Sequence, residues 1–254
     1  MLLIVGAFPP ETDSLETLVG PGIQVQSVGI GPVEATLGLE ALITEFAPTE
    51  VLFLGSCGQY AGSPPAEYIF SQVFTLLDPN SLLGRSRMVP AMRKFSAPTP
   101  GSLGLSCKES GQFQPSIVNT TVALSLESHG LSLPILEQAI EGLETHLARK
   151  SPLEGLRTND VPKGPMEAEA QVANGSEAES TGRGLQKESI PVVENLEVFG
   201  MARLCEIHKI GFSTVMAVTN AVGPEGSASW AENYRPMGQT LQEKVSALVE
   251  KWRG

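Results

Sequence analysis

Apolar residues fall along this chain in short unbroken runs, each closed by a glycine turn. Residues 2–5 are closed by Gly6, and residues 51–54 by Gly55-Ser56-Cys57-Gly58. Such runs are the signature of strands covered on both faces. Residues 23–28 form another strand, alternating at Ile23 and Val25, and end in the turn Gly29-Ile30-Gly31-Pro32. Residues 33–45 read as a helix whose apolar side carries Val33, Leu37, Ala41, Leu42 and Ile43, with Pro48 as a stop. Strand, glycine turn, helix, strand is the order of a βαβ unit. Residues 12–19 suit a short helical turn, 68–77 a strand or hairpin arm, and 116–126 a β-rich stretch. Residues 194–210 predict a helix with Leu196, Phe199, Leu204 and Ile207 on its apolar face and Gly211 as its C-cap. A strand follows over 212–218, ending at Thr219-Asn220, and an amphipathic helix over 241–252 carries Val245, Leu248 and Trp252. The pattern is α/β.

Residues 150–189 break the pattern. They are rich in Glu, Gly, Ser, Pro and Asn, and no Phe, Tyr or Trp occurs between Phe113 and Phe199. A stretch of that composition buries too little surface to offset its ordering entropy. The expectation is one domain over 1–254 containing a flexible acidic insertion at 150–189, with a helix over 134–149 before it. The chain has 17 Lys and Arg against 28 Asp and Glu, a net charge of -11, which speaks against nucleic acid and anionic membrane surfaces as partners. Its three cysteines, Cys57, Cys107 and Cys205, are far apart and form no metal-ligand cluster, so idle thiols in a reducing cytoplasm are expected. The apolar start lacks the charged flank of a signal peptide, and no apolar run is long enough to span a membrane.

Ligands of open α/β sheets bind beyond the carboxyl ends of the strands. That rule draws attention to Glu11 after the first strand, Ser56 and Gly58 after the third, Glu194, Asn195, Leu196 and Glu197 at the helix start, and Asn220 after the late strand. Singly, each has a plain structural reading: turn residues, solvated acids, charges favouring a helix dipole.

Their order and spacing together resemble the purine nucleoside phosphorylase and nucleosidase superfamily, on its small nucleosidase side. The matching segments are Leu-Leu-Ile-Val-Gly-Ala-Phe-Pro-Pro-Glu at 2–11, Val-Gly-Ile-Gly-Pro-Val-Glu-Ala at 28–35 and Leu-Gly-Ser-Cys-Gly at 54–58. Val-Glu-Asn-Leu-Glu-Val-Phe-Gly-Met-Ala at 193–202 and Val-Thr-Asn-Ala-Val-Gly-Pro at 218–224 complete the set. The resemblance is greatest to the futalosine hydrolases, then to the methylthioadenosine/adenosylhomocysteine nucleosidases. It implies a three-layer α/β/α fold around a mixed twisted sheet, and cleavage of a purine nucleoside's N-glycosidic bond.

By that resemblance Glu11 activates water, Glu197 clamps the ribose hydroxyls, and Asn220 meets purine N7 and the 6-substituent. Asn195, Leu196, Ser56 and Gly58 would line the substrate, and Phe113 would replace the family's purine-stacking aromatic. An amide at 220 suits a 6-oxopurine, hence futalosine, released as hypoxanthine and dehypoxanthine futalosine on the way to menaquinone. The family's phosphate-binding Arg is replaced by Phe53, which makes water the expected nucleophile. No metal or organic cofactor is implied; a small-molecule purine nucleoside is the expected partner, within a homo-oligomer in the cytoplasm. The methylthioadenosine/adenosylhomocysteine activity, or nucleoside binding without turnover, are the alternatives.

Overall fold

A computed structural model describes residues 1–82, 93–96, 101–121, 134–135, 137–141 and 190–253. The expected insertion at 150–189 lies outside them, as do 122–126 and most of the expected helix over 134–149. Among the described residues eight strands form one mixed sheet. They are β1 (Leu2–Gly6), β2 (Ile23–Ser27), β3 (Glu50–Gln59), β4 (Tyr68–Leu76), β5 (Arg93–Ser96), β6 (Gln114–Thr120), β7 (Val192–Asn195) and β8 (Gly211–Ala221). The named helices among the described residues are α1 (Pro32–Phe46), α2 (Pro79–Leu82), α3 (Ser102–Glu109), α4 (Val198–His208) and α5 (Gly226–Arg253), and residues 134–135 and 137–141, inside the expected 134–149 helix, are helical too. None of the described helices is long and apolar enough to cross a membrane.

The unbroken apolar runs are explained by two cores, one on each face of the sheet. Leu3 and Val5 of β1 and Val51 and Phe53 of β3 join α1 and α4 in one core. Their neighbours Leu2, Ile4, Leu52 and Leu54 point the other way and join α3 and α5 in a second. Successive strand residues face opposite sides, so a strand between two helical layers must be apolar at every position. This is the three-layer α/β/α architecture.

β1 lies between β2 and β3, parallel to both. β3 runs parallel to β8, and β8 pairs antiparallel with β4. β4 runs parallel to β6, and β6 parallel to β7. β7 returns antiparallel to the carboxyl end of β3, so the path closes on itself.

Five local expectations are corrected. Residues 55–58 are not a turn but the second half of β3, held by β8 on one side and β7 on the other. Residues 194 and 195 belong to β7, and the helix begins after them. Its C-cap is Lys209, left-handed at φ 58, not Gly211, which opens β8. The helix faces are rotated. Val33 and Leu37 are exposed while Ala35, Leu39 and Ile43 are buried, because Gly38 of α1 sits directly on the Val28 carbonyl. On α4, Phe199 is buried and Leu204 packs on the core as expected, but Ile207 is 70% exposed, and Val198, Met201, Ala202 and Cys205 complete the buried side, with Gly200 against Thr36 of α1. Close glycine contacts fix which side of each helix faces inward, overriding the crude apolar stripe. Finally, α5 begins at Gly226, well before residue 241, and continues through Pro236.

Candidate active site

The chain after β1 turns sharply through a 3-10 turn, Pro9–Glu11. It folds back so closely that a Cβ at Gly6 would stand 2.9 Å from the Glu11 Cβ. The turn brings Glu11 under the end of its own strand, where the Ala7 N–H donates to its Oε2 at 2.7 Å. From β3, the Ser56 N–H donates to Oε1 at 3.1 Å, with the Ser56 hydroxyl 3.5 Å from the same oxygen. Burial outweighs these hydrogen bonds and, with the charge of Glu197 nearby, pushes the Glu11 carboxyl up to about 8.

Glu197 stands at the junction of β7 and α4 and is buried. Its Oε1 accepts the Gly31 N–H at 2.9 Å. Gly31 has φ 88, a left-handed conformation that L side chains rarely adopt, which is why glycine serves in this turn. Burial raises the Glu197 carboxyl as well, against hydrogen bonds from Gly31, Asn195 and the backbone around the helix start. Asn195 fixes that junction. Its Oδ1 accepts the N–H groups of Glu197 and Val198 at 2.8 and 3.1 Å, and its Nδ2 donates to the Ser56 carbonyl at 3.2 Å. It therefore acts as a side-chain cap for α4.

Asn220 is re-aimed by a bulge. The β3–β8 register is Cys57 to Val218, then Gly58 to Asn220, leaving Thr219 as an extra residue. The Thr219 hydroxyl donates to Asn220 Oδ1 at 3.0 Å, which orients the amide.

Glu11, Ser56, Gly58, Asn195, Leu196, Glu197 and Asn220 line one cavity of about 290 Å³, with Ala7, Phe8, Ile30, Glu194 and Trp230. No Lys or Arg is among the described residues on its wall. A wider, more open hollow of about 520 Å³ lies elsewhere; among the described residues its ionisable groups are Glu67, Tyr68 and Lys244, with no carboxylate pair.

No family model matches the chain, and no curated protein matches it. Solved structures match along nearly its whole length. A futalosine hydrolase mutant of Helicobacter pylori superposes with a TM-score of 0.61 at 14% identity, covering 98% of both chains. The methylthioadenosine/adenosylhomocysteine nucleosidase of Neisseria meningitidis, in complex with methylthio-immucillin-A, gives 0.62 at 15% identity over 98% of both chains. The Streptococcus pneumoniae nucleosidase with 8-aminoadenine gives 0.59 at 13% identity over 97% of both chains. The fold is the nucleosidase fold.

Phe113 does not reach the cavity of this nucleosidase fold. It is 4% exposed and packs in the core on the α3–α5 side, where its ring gains more from burial than a pocket edge offers. The aromatics on the cavity wall are instead Phe8 and Trp230, the latter backed by Tyr234, and the sequence reading passed over both Trp230 and Tyr234. Trp230 stacks on Tyr234 with ring centroids 4.4 Å apart, and Phe8 lies 6.5 Å from Trp230 and 6.1 Å from Tyr234. The Trp230 indole N–H donates to the Ser56 hydroxyl oxygen at 3.0 Å, leaving that hydroxyl's own proton for Glu11. The signal was present as aromatics at i and i+4 of a helix. Val198, beside the motif, is fully buried in the core and off the cavity wall.

Proposed function

We propose that this protein hydrolyses the N-glycosidic bond of a purine nucleoside, with the 6-oxopurine nucleoside futalosine as substrate. One observation carries the reading: Glu11 and Glu197 face a single cavity whose described wall holds no cation. A phosphate dianion entering such a cavity would meet carboxylates and, among the described residues, no Arg, at a high desolvation cost. Water meets no such penalty.

The chemistry follows from the charges. As the C1′–N9 bond breaks, its electron pair leaves with the purine and the ribose becomes cationic. Water adds to C1′, and its proton passes to Glu11, whose carboxyl at about 8 is poised near neutral pH. The Trp230–Ser56–Glu11 hydrogen-bond chain orients the base that takes this proton. Glu197 accepts ribose hydroxyls, and its negative charge favours the sugar cation. The Asn220 amide stabilises the departing base at O6 or N7.

The assay is chromatography of the purified protein with futalosine, methylthioadenosine, adenosylhomocysteine and inosine, each with and without phosphate. Hypoxanthine from futalosine without phosphate is expected. Release only with phosphate overturns hydrolysis. Adenine from methylthioadenosine with futalosine untouched overturns the 6-oxopurine assignment, and no release from any of the four overturns the enzyme.

A further inference from the structure

Gln242 lies on the buried side of α5, only 2% exposed, beside Leu241 and Val245 of the core. An amide buried there costs free energy unless its polar atoms are paired. Among the described residues its three side-chain hydrogen bonds all run to one short segment, the residues on either side of Glu11. Its Nε2 donates to the Pro10 carbonyl at 3.1 Å. Its Oε1 accepts the Ser14 N–H at 2.9 Å and the Ser14 hydroxyl at 2.7 Å. The Ser14 N–H is shared with Asp13 Oδ1, also at 2.9 Å.

A carbonyl only accepts and a backbone N–H only donates, so these two partners fix which end of the amide faces which. An ionised carboxylate of the same shape would set oxygen against the Pro10 oxygen, and an apolar chain would lose all three bonds. The segment so clamped is the one that carries Glu11. Its turn opens with Pro9 and Pro10, which bring no N–H of their own. Within the turn the Glu11 N–H donates to the Phe8 carbonyl at 3.0 Å and the Thr12 N–H to the Pro9 carbonyl at 2.9 Å. Those bonds shape the turn locally, whereas Gln242 ties it to α5 both before and after Glu11. The same helix carries Trp230, whose indole N–H holds the Ser56 hydroxyl beside the Glu11 carboxyl.

Resting on the nucleosidase reading, we propose that Gln242 is a positioning residue: by clamping Pro10 and Ser14 to α5 it sets where the Glu11 carboxyl stands relative to the attacking water. The substrate is held from other elements, by Glu197 at the β7–α4 junction and Asn220 on β8. Loosening the clamp therefore costs the chemical step rather than binding. A displacement on the order of 1 Å can cost about a hundredfold in rate.

The experiment is base release by the intact protein from whichever of futalosine, methylthioadenosine, adenosylhomocysteine and inosine the wild type cleaves. It compares Gln242→Met and Ser14→Ala, each alone and on a Glu11→Gln background at high enzyme concentration. Gln242→Met should lower kcat by about tenfold or more with KM little changed. Ser14→Ala, which removes one bond made by an exposed residue, should lower kcat by about two- to fivefold. Neither should lower kcat further on the Glu11→Gln background, because a residue that acts through another then has nothing to act on. A folded Gln242→Met with wild-type kcat overturns the assignment and leaves the nucleosidase reading standing. So does a raised KM at unchanged kcat, or an equal loss on the Glu11→Gln background, which marks a general structural role. Should Gln242→Met not fold, Ser14→Ala decides by the same comparison. No release by the wild type from any of the four overturns both readings.

Discussion

Glu11 and Glu197 share one cavity but are held in different ways. Glu197 is carried at a strand–helix junction, with helix α4 starting at its own backbone and the Gly31 N–H on its carboxylate. It thus sits at the positive end of a helix dipole. Glu11 is carried on a 3-10 turn that runs on into a second 3-10 stretch, Asp13–Leu18, rather than at the start of an α-helix, and its partners are the N–H groups of Ala7 and Ser56. Both are raised by burial, but Glu11 also feels the charge of Glu197, and it reaches about 8. On the proposed reading the unequal surroundings divide their work: Glu11, raised further by the neighbouring charge, takes the proton, and Glu197, at the helix start, faces the sugar.

The comparison breaks most completely if Glu11 loses its ability to take a proton. Glu11→Gln should lower kcat by about 10²–10⁴-fold with KM little changed, read by base release. Glu197→Gln should cost roughly 10–100-fold in kcat/KM through the lost ribose contacts. It also sharpens the comparison, because removing the Glu197 charge should move the acid limb of the pH–rate profile below the wild-type midpoint near 8. A limb that does not move would mean the two carboxyls do not sense each other. Trp230→Phe keeps the ring but removes the N–H to Ser56, and should lower kcat by about tenfold. The smallest effect is on stability. Unfolded Glu11 loses its proton near 4.5 and folded Glu11 near 8, so the unfolded state binds fewer protons in that window. Stability should therefore fall as pH rises from 4.5 to 8, and Glu11→Gln should raise Tm by a few degrees at pH 8 but not at pH 4.

Strands β1 and β3 were legible because each stands between two helical layers, which demands the unbroken apolar runs of residues 2–5 and 51–54, whereas β5 was not read and the end of β7 was taken for helix. The glycines of 55–58 misled for a physical reason. Glycine usually marks a turn, but here β7 and β8 pair with both sides of β3 and hold it extended. The helix phases were lost because Gly38 and Gly200 act by what they permit to approach, which no apolar stripe records. The motif residues at the strand ends could be picked out by their spacing, since topology gathers such ends into one place. The aromatic wall could not. Trp230 and Tyr234 lie in a stretch whose Gly, Ser and Pro content disguises the first half of α5, and their partner Phe8 is more than 200 residues away in sequence. Phe113 was the aromatic nearest the expected place along the chain, and the core claimed it.

The closed circuit β3–β8–β4–β6–β7 has a consequence for how this protein meets others of its kind. A strand with an unpaired flank is a template on which another chain can add itself. Among the described strands, every member of the circuit is hydrogen-bonded on both sides over at least part of its length, so the strands that shape the cavity leave few such templates. The outermost strands are β2 at one limit of the sheet and β5 at the other. β2 turns Gln24 and Gln26 outward, partly exposed between its buried apolar residues. Resistance to strand-by-strand aggregation is therefore concentrated where the chemistry is proposed to happen, and the vulnerable flanks lie at the far limits of the sheet.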